Sequence, residues 1–172
     1  MKFPELTLVR WMTHLNIGAA LALLIWLVSL PATSHAHGSH AGDLMLDHPY
    51  AVPSAPGEVH GKAYLRGIKN TGPQADSLQS ACTPVAAKVV LHRLAPDANG
   101  LHGTQVETIA LPAQSTTLLR HTGDYQLTLI DLKAPLKDGD RFDLTLNFAH
   151  APSQTVKVWV QTPRETATAH AH

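Results

Sequence analysis

Between residues 141 and 148 apolar and polar side chains alternate without a break. Phe142, Leu144, Leu146 and Phe148 fall on one side of an extended chain, with Asp143, Thr145 and Asn147 on the other. A period of two marks a strand with one buried face, because successive side chains point to opposite sides of the pleat. Val156, Val158 and Val160 repeat the rhythm, as do Leu127 and Leu129 after Tyr125. Weaker alternation predicts strands over Val59 to Ile68, Lys88 to Leu94, Val106 to Leu111 and Thr116 to Leu119. Pro, Gly, Asn and Asp clusters separate these runs, and Lys137-Asp138-Gly139-Asp140 predicts a turn just before the Phe142 strand. No long helical periodicity competes with the strand pattern. The pattern predicts an all-β fold in one domain, a Greek-key β-sandwich or small barrel.

The N-terminal residues break this rhythm. Lys2 and Arg10 precede an apolar run from Ile17 to Leu30, followed by Pro31 and the small-residue tripeptide Ser34-His35-Ala36. That is the layout of a secretory leader cleaved after Ala36, and the apolar run is shorter than the roughly 20 residues a membrane-spanning helix needs. The expected organisation is a leader over 1–36, a flexible His-rich arm over 37–43, the sandwich over 44–162 and a flexible His-containing tail over 163–172. The expected compartment is the periplasm of a Gram-negative bacterium, with membrane contact only through a retained leader. Cys82 is the only cysteine, which rules out an intrachain disulfide, and the run Ala81-Cys82-Thr83 predicts a small buried side chain.

Charge narrows the function classes. Thirteen basic and 13 acidic side chains give a formal net charge of zero, and the basic ones are scattered, so a nucleic-acid partner is not expected. No G-x-S-x-G, H-E-x-x-H, phosphate-cradling glycine loop or C-x-x-C is present, so an enzyme is not expected either. Histidine stands out, with 12 residues, among them His37 and His40 at the leader junction, His170 and His172 at the end, and His92, His102 and His121 within the domain. Neutral imidazole binds copper, zinc and nickel, so these side chains are the candidate ligands. Cleavage after Ala36 would also give His37 a free α-amino group, and amine plus imidazole can chelate Cu(II).

Several segments, taken in order, are similar to the PCu(A)C family of copper chaperones: Gly42-Asp43 leading into His48-Pro49-Tyr50-Ala51, Gly61-Lys62-Ala63-Tyr64-Leu65 with Lys69-Asn70-Thr71-Gly72, Lys88-Val89-Val90-Leu91-His92, Ile109-Ala110-Leu111-Pro112-Ala113, and Leu132-Lys133-Ala134-Pro135-Leu136-Lys137-Asp138-Gly139-Asp140. The resemblance runs from about residue 42 to 161. It implies a cupredoxin-like sandwich that holds Cu(I) at a shallow surface site and passes it towards cytochrome oxidase copper centres. The family's ligands are a His, ten residues, a Met, twenty-one residues, then His-x-Met. Counting from His92 puts Gly103, Tyr125 and Leu127 at the other three positions, so only His92 is retained. His102 beside Gly103 is the expected substitute, with His121, His37 and His40 as further candidates. Imidazole in place of thioether tilts the expected ion from Cu(I) towards Cu(II), with zinc as a second candidate. The expected function is a periplasmic copper carrier whose partner is a cytochrome oxidase assembly protein or another copper acceptor. The alternative is a metal-free interaction module that kept the sandwich and lost the site.

Overall fold

The computed structural model describes residues 38–98 and 100–162. The expected leader, His37 and the tail from residue 163 lie outside them. The described chain is all β, with eleven strands: β1 (Gly38–Ala41), β2 (Leu44–Ala51), β3 (Gly61–Asn70), β4 (Asp76–Cys82), β5 (Ala86–Asp97), β6 (Gly100–Gln105), β7 (Ile109–Leu111), β8 (Ser115–Leu119), β9 (Tyr125–Leu132), β10 (Arg141–Phe148) and β11 (Gln154–Val160). Their ladder runs β6-β5-β9-β3-β2-β11-β10-β4-β7, with β1 added to β2 and β8 to β3. Every neighbouring pair is antiparallel except β11 with β2, and non-sequential neighbours such as β5-β9-β3 carry the crossovers of a Greek-key sandwich.

The core is the one the alternation predicts. Phe142, Leu144, Leu146 and Phe148 of β10 are buried with Val156, Val158 and Val160 of β11 and Leu127 and Leu129 of β9. Leu44, Leu46, Leu65, Ile68, Leu78, Ile109, Leu111 and Leu119 complete the cluster. Asn70 is the one buried polar side chain among the described residues. Its Nδ2 donates to the carbonyls of Gln74 (2.8 Å) and Leu111 (3.0 Å), and its Oδ1 accepts from Gly72 N (2.9 Å). The turn after it needs glycine, since a Cβ on Gly72 would sit 2.5 Å from Asp43 Oδ2.

Three expectations are corrected here. Residues 38–41, expected to belong to a flexible arm, form β1, which pairs Gly38 with Asp47 and Ala41 with Leu44 across the turn at Gly42, φ +57°. A segment of Gly, Ser, His and Ala has no alternation to betray it, and its backbone pairing alone makes it a strand. Cys82, expected to be buried, is exposed opposite Thr145. A register shift between Asn147 and Phe148 puts Leu78 and Ala81, rather than Cys82, on the inner face of β4. Finally β2, β4 and β6 were not among the predicted strands. β6 is almost wholly exposed and so carries no apolar signal.

Asp76 ties the start of β4 to the β10–β11 connection. Its carboxylate accepts from the backbone N–H groups of Ser77 (2.7 Å), Ala149 (3.1 Å), His150 (3.1 Å) and Ala151 (2.8 Å). Partial burial pushes its pKa up, but the N–H donors and the His150 charge together outweigh this and hold it below the ordinary carboxylate value of 3.8. A depressed folded pKa contributes stability that is complete above the unfolded value and is lost as pH falls through the folded one. Asp76→Ala is therefore expected to cost about 1–2 kcal/mol at pH 7, discounted for solvent screening, with the gap to wild type closing below pH 3.8. Urea titrations at pH 7 and pH 3 check this, and a pH-independent gap would show that the charge is not the cause.

Candidate metal site

β5 supplies His92, and its neighbours decide what faces it. His92 lies opposite Gln126 of β9 and Gln105 of β6, Val90 opposite Thr128, and Leu94 opposite Gly103. Directly opposed residues share a face, so Gln126, Thr128 and Gly103 stand on His92's outward side. Tyr125 and Leu127 pair with Arg93 and Leu91 and point the other way, and Leu127 is fully buried. The two β9 residues that the sequence count from His92 reaches therefore point away from it, and the β9 residues on its own face are Gln126 and Thr128.

The outward face continues across the sheet. Arg141 pairs with Trp159, Trp159 with Tyr50 and Tyr50 with Tyr64, which gives one cross-strand row. The Arg141 guanidinium stands 5.0 Å over the half-exposed Trp159 ring, and the Tyr50 and Tyr64 rings stack at 5.2 Å. The row ends in an open depression of ≈ 440 Å³ whose lining includes Tyr64, His92, Gly103, His121, Gln126 and Thr128.

Two imidazoles meet at this depression, and each has one nitrogen tied. His92 is half-buried, with Nδ1 2.8 Å from Thr128 Oγ1. His121, exposed in the turn between β8 and β9, has Nδ1 3.1 Å from the Tyr50 hydroxyl and stands edge-on to Tyr64 with ring centroids 6.2 Å apart. Neither Nε2 makes a hydrogen bond among the described residues. Behind them Tyr64 OH donates to Gln126 Oε1 (3.5 Å) and Gln126 Nε2 to Thr128 Oγ1 (3.3 Å).

The electrostatics favour a neutral His92 ring and protonated phenols. Burial lowers the pKa of His92 from 6.5, so the imidazole keeps a free lone pair into mildly acidic solution. Burial, reinforced by the neighbouring Tyr50, pushes Tyr64 up to about 12. Tyr50 is also raised by burial, against opposing contributions from the His121 backbone and the Arg120 charge.

The other sequence candidates fall elsewhere. His102 lies opposite Ala95, on the reverse face of the β5–β6 ribbon from His92, so the two rings do not converge. Strand alternation is the reason: positions 102 and 103 point to opposite sides, and Gly103 takes the place on His92's face. His40 is exposed on β1 opposite Met45, away from the depression. His37 lies outside the described residues. Tyr50, Tyr64, Gln126 and Thr128 were missed. The signal for the last two was present, because a strand that buries Leu127 and Leu129 must turn Gln126 and Thr128 outward. No group of three or more His, Cys, Asp or Glu side chains is placed to hold a metal among the described residues. Met45, the only described methionine, sits in the β1–β2 pairing, so the depression offers imidazoles, oxygens and an amide but no thioether. That donor set suits a borderline divalent ion better than a soft monovalent one.

The sandwich is similar to that of PCuAC domains. The apo PCuAC domain of PmoF1 superposes with a TM-score of 0.64 at 25% identity, over 74% of this chain and 100% of that one. The copper-bound PCuAC domain of PmoF2 gives 0.63 at 22%, over 74% and 99%. The Cu(I) form of DR1885 from Deinococcus radiodurans gives 0.55 at 24%, over 78% and 87%. The last two, at their low identities, speak for the fold alone. The chain belongs to the family described as "Putative lipoprotein LpqE-like", which matches residues 44–160. A curated relative, putative lipoprotein Lxx21020 of Leifsonia xyli subsp. xyli, is 28% identical over 136 residues, 78% of this chain and 79% of that protein.

Proposed function

We propose that this protein is an exported copper carrier that holds the ion between Nε2 of His92 and Nε2 of His121 and releases it to a copper acceptor, a cytochrome oxidase assembly protein being the partner class the family resemblance suggests. One observation carries the reading: two imidazoles line one open depression, each with Nδ1 engaged by a hydroxyl and Nε2 unengaged among the described residues. Two nitrogen ligands at an open surface make a site from which an incoming partner can take the ion. The sequence resemblance to PCu(A)C copper chaperones and the likeness to the PCuAC domain of PmoF1 support copper as cargo, and the lipoprotein names of the relatives support export. Residues 1–81 contain no cysteine, so lipid attachment to a cysteine in that stretch is not available here.

Calorimetric titration of the full chain with Cu(II) tests the reading. His92→Ala and His121→Ala are each expected to weaken binding at least about tenfold, since a lost ligand costs no less than a lost outer-shell partner. His102→Ala is expected to leave this site unchanged. Because burial lowers the folded His92 pKa from 6.5, its contribution should persist as pH falls to 6.5 and fade only as pH drops through the lowered value. Wild-type affinity in His92→Ala would end the proposal. The second reading, an interaction module without a metal, rests on Gly103, Tyr125 and Leu127 standing where the count from His92 puts the family's remaining ligands. A wild-type chain that takes up no copper would favour it.

A further inference from the structure

The two imidazoles are held in the same way, although nothing in the sequence relates their surroundings. At His92, Thr128 Oγ1 lies 2.8 Å from Nδ1 and already accepts an N–H from Gln126 Nε2 at 3.3 Å. At His121, the Tyr50 hydroxyl lies 3.1 Å from Nδ1 and already accepts the His121 backbone N–H at 3.4 Å. A hydroxyl has one proton to give and two lone pairs. With one lone pair occupied in each case, the hydroxyl proton is free for the imidazole Nδ1, and a ring that accepts it carries its own proton on Nε2.

We propose that Thr128 and Tyr50 are paired positioning residues that set the tautomers of His92 and His121, holding both rings in the Nε2–H form while no metal is bound. This deepens the carrier reading, on which its second half rests. A metal arriving at Nε2 displaces that proton. Nδ1 takes up a proton from solvent, so the neutral ring gains one proton and loses one, and each hydroxyl changes from donor to acceptor. Thr128 and Tyr50 can make that change because each hydroxyl keeps a second lone pair for Nδ1–H. Metal loading and release are thereby coupled to the rotation of two hydroxyls. The orienting partner of a metal-bound histidine is in general worth 10–100-fold in affinity. The hydroxyls are then determinants of how tightly the ion is held, without touching it.

Long-range ¹H–¹⁵N correlation spectra of the ¹⁵N-labelled full chain at pH 8, free of metal, read the tautomers directly. Wild type is expected to show the Nε2–H form at both rings. Thr128→Val, which keeps the shape and removes the hydroxyl, should release His92 into a mixture and leave His121 unchanged. Tyr50→Phe should do the reverse, and Thr128→Ser should restore the wild-type pattern at His92. In Cu(II) titrations Thr128→Val should bind about tenfold more weakly, with recovery in Thr128→Ser. Addition of Zn(II), a diamagnetic probe, should move both rings to Nδ1–H. An Nδ1–H His92 in the metal-free wild type, or an unaltered tautomer in Thr128→Val, overturns the proposal. Correct tautomers in a chain that binds no Cu(II) would instead sink the carrier reading and leave the hydroxyl control standing.

Discussion

Gly103→Met, Gln126→His and Thr128→Met introduced together are expected to raise Cu(I) affinity roughly a thousandfold, about 4 kcal/mol, because they add two thioethers and an imidazole to the face that already carries His92. The register dictates these positions: Gln126 lies directly opposite His92, Thr128 opposite Val90, and Gly103 opposite Leu94. There is room at Gly103, where an added Cβ would meet His92 Cβ at 3.5 Å, an ordinary contact. Loss of the Thr128 hydroxyl matters less in that variant, since sulfur ligands dominate the binding of a soft ion. The matched control carries Tyr125→His and Leu127→Met in place of the two β9 changes, as the sequence count would have it. Those side chains point away from His92, and Leu127 is fully buried, so the control should gain little Cu(I) affinity. Competition against a chromophoric Cu(I) chelator ranks the two variants. A control that matched the first variant would mean that the β5–β9 register is wrong.

Leu144→Ala should remove about 2–5 kcal/mol of folding stability, the range for emptying a fully buried leucine site. Leu144 has no exposed surface, sits in the middle of β10 and is flanked by equally buried Leu146 and by Val156 across the β10–β11 pair. A single cysteine leaves no disulfide to limit the damage, so the core carries the stability. Against a total of about 5–15 kcal/mol for a domain of ordinary stability, this one change should bring the midpoint of urea unfolding down steeply. Asp143, its neighbour on the outward face, is paired with Lys157, and Asp143→Ala is the comparison. An exposed ion pair is worth at most about 1 kcal/mol. Equal losses from the two substitutions would contradict the assignment of faces along β10.

The strands legible in advance are those in which burial on one face leaves a written record. β10 is predicted with its observed limits because four large apolar residues alternate with three polar ones, and β9 and β11 follow from shorter versions of the same pattern. β1 and β6 leave no such record, since they carry small or exposed side chains and are strands only because a neighbour offers backbone hydrogen bonds. Cys82 shows the same limit from the other side: its surroundings in sequence read as apolar, and a register shift against β10 turns it outward.

The site divides along the same line. His92, its outward face and the burial of Leu127 and Leu129 follow from local alternation, because the direction of a strand side chain is a property of position parity alone. Which residues share the depression with His92 is a matter of register between strands far apart in the chain, and no local rule supplies it. The pairing of β5 with β9 and β6 excludes His102 and admits Gln126, Thr128 and Gly103. The stacking of Tyr50 on Tyr64 and the hydrogen bond between Tyr50 and His121 bring together residues 14 and 71 positions apart. Composition and periodicity thus determined an all-β domain rich in histidine. Long-range strand pairing decided which two of those histidines line one depression, because hydrogen bonds between distant backbones set that geometry.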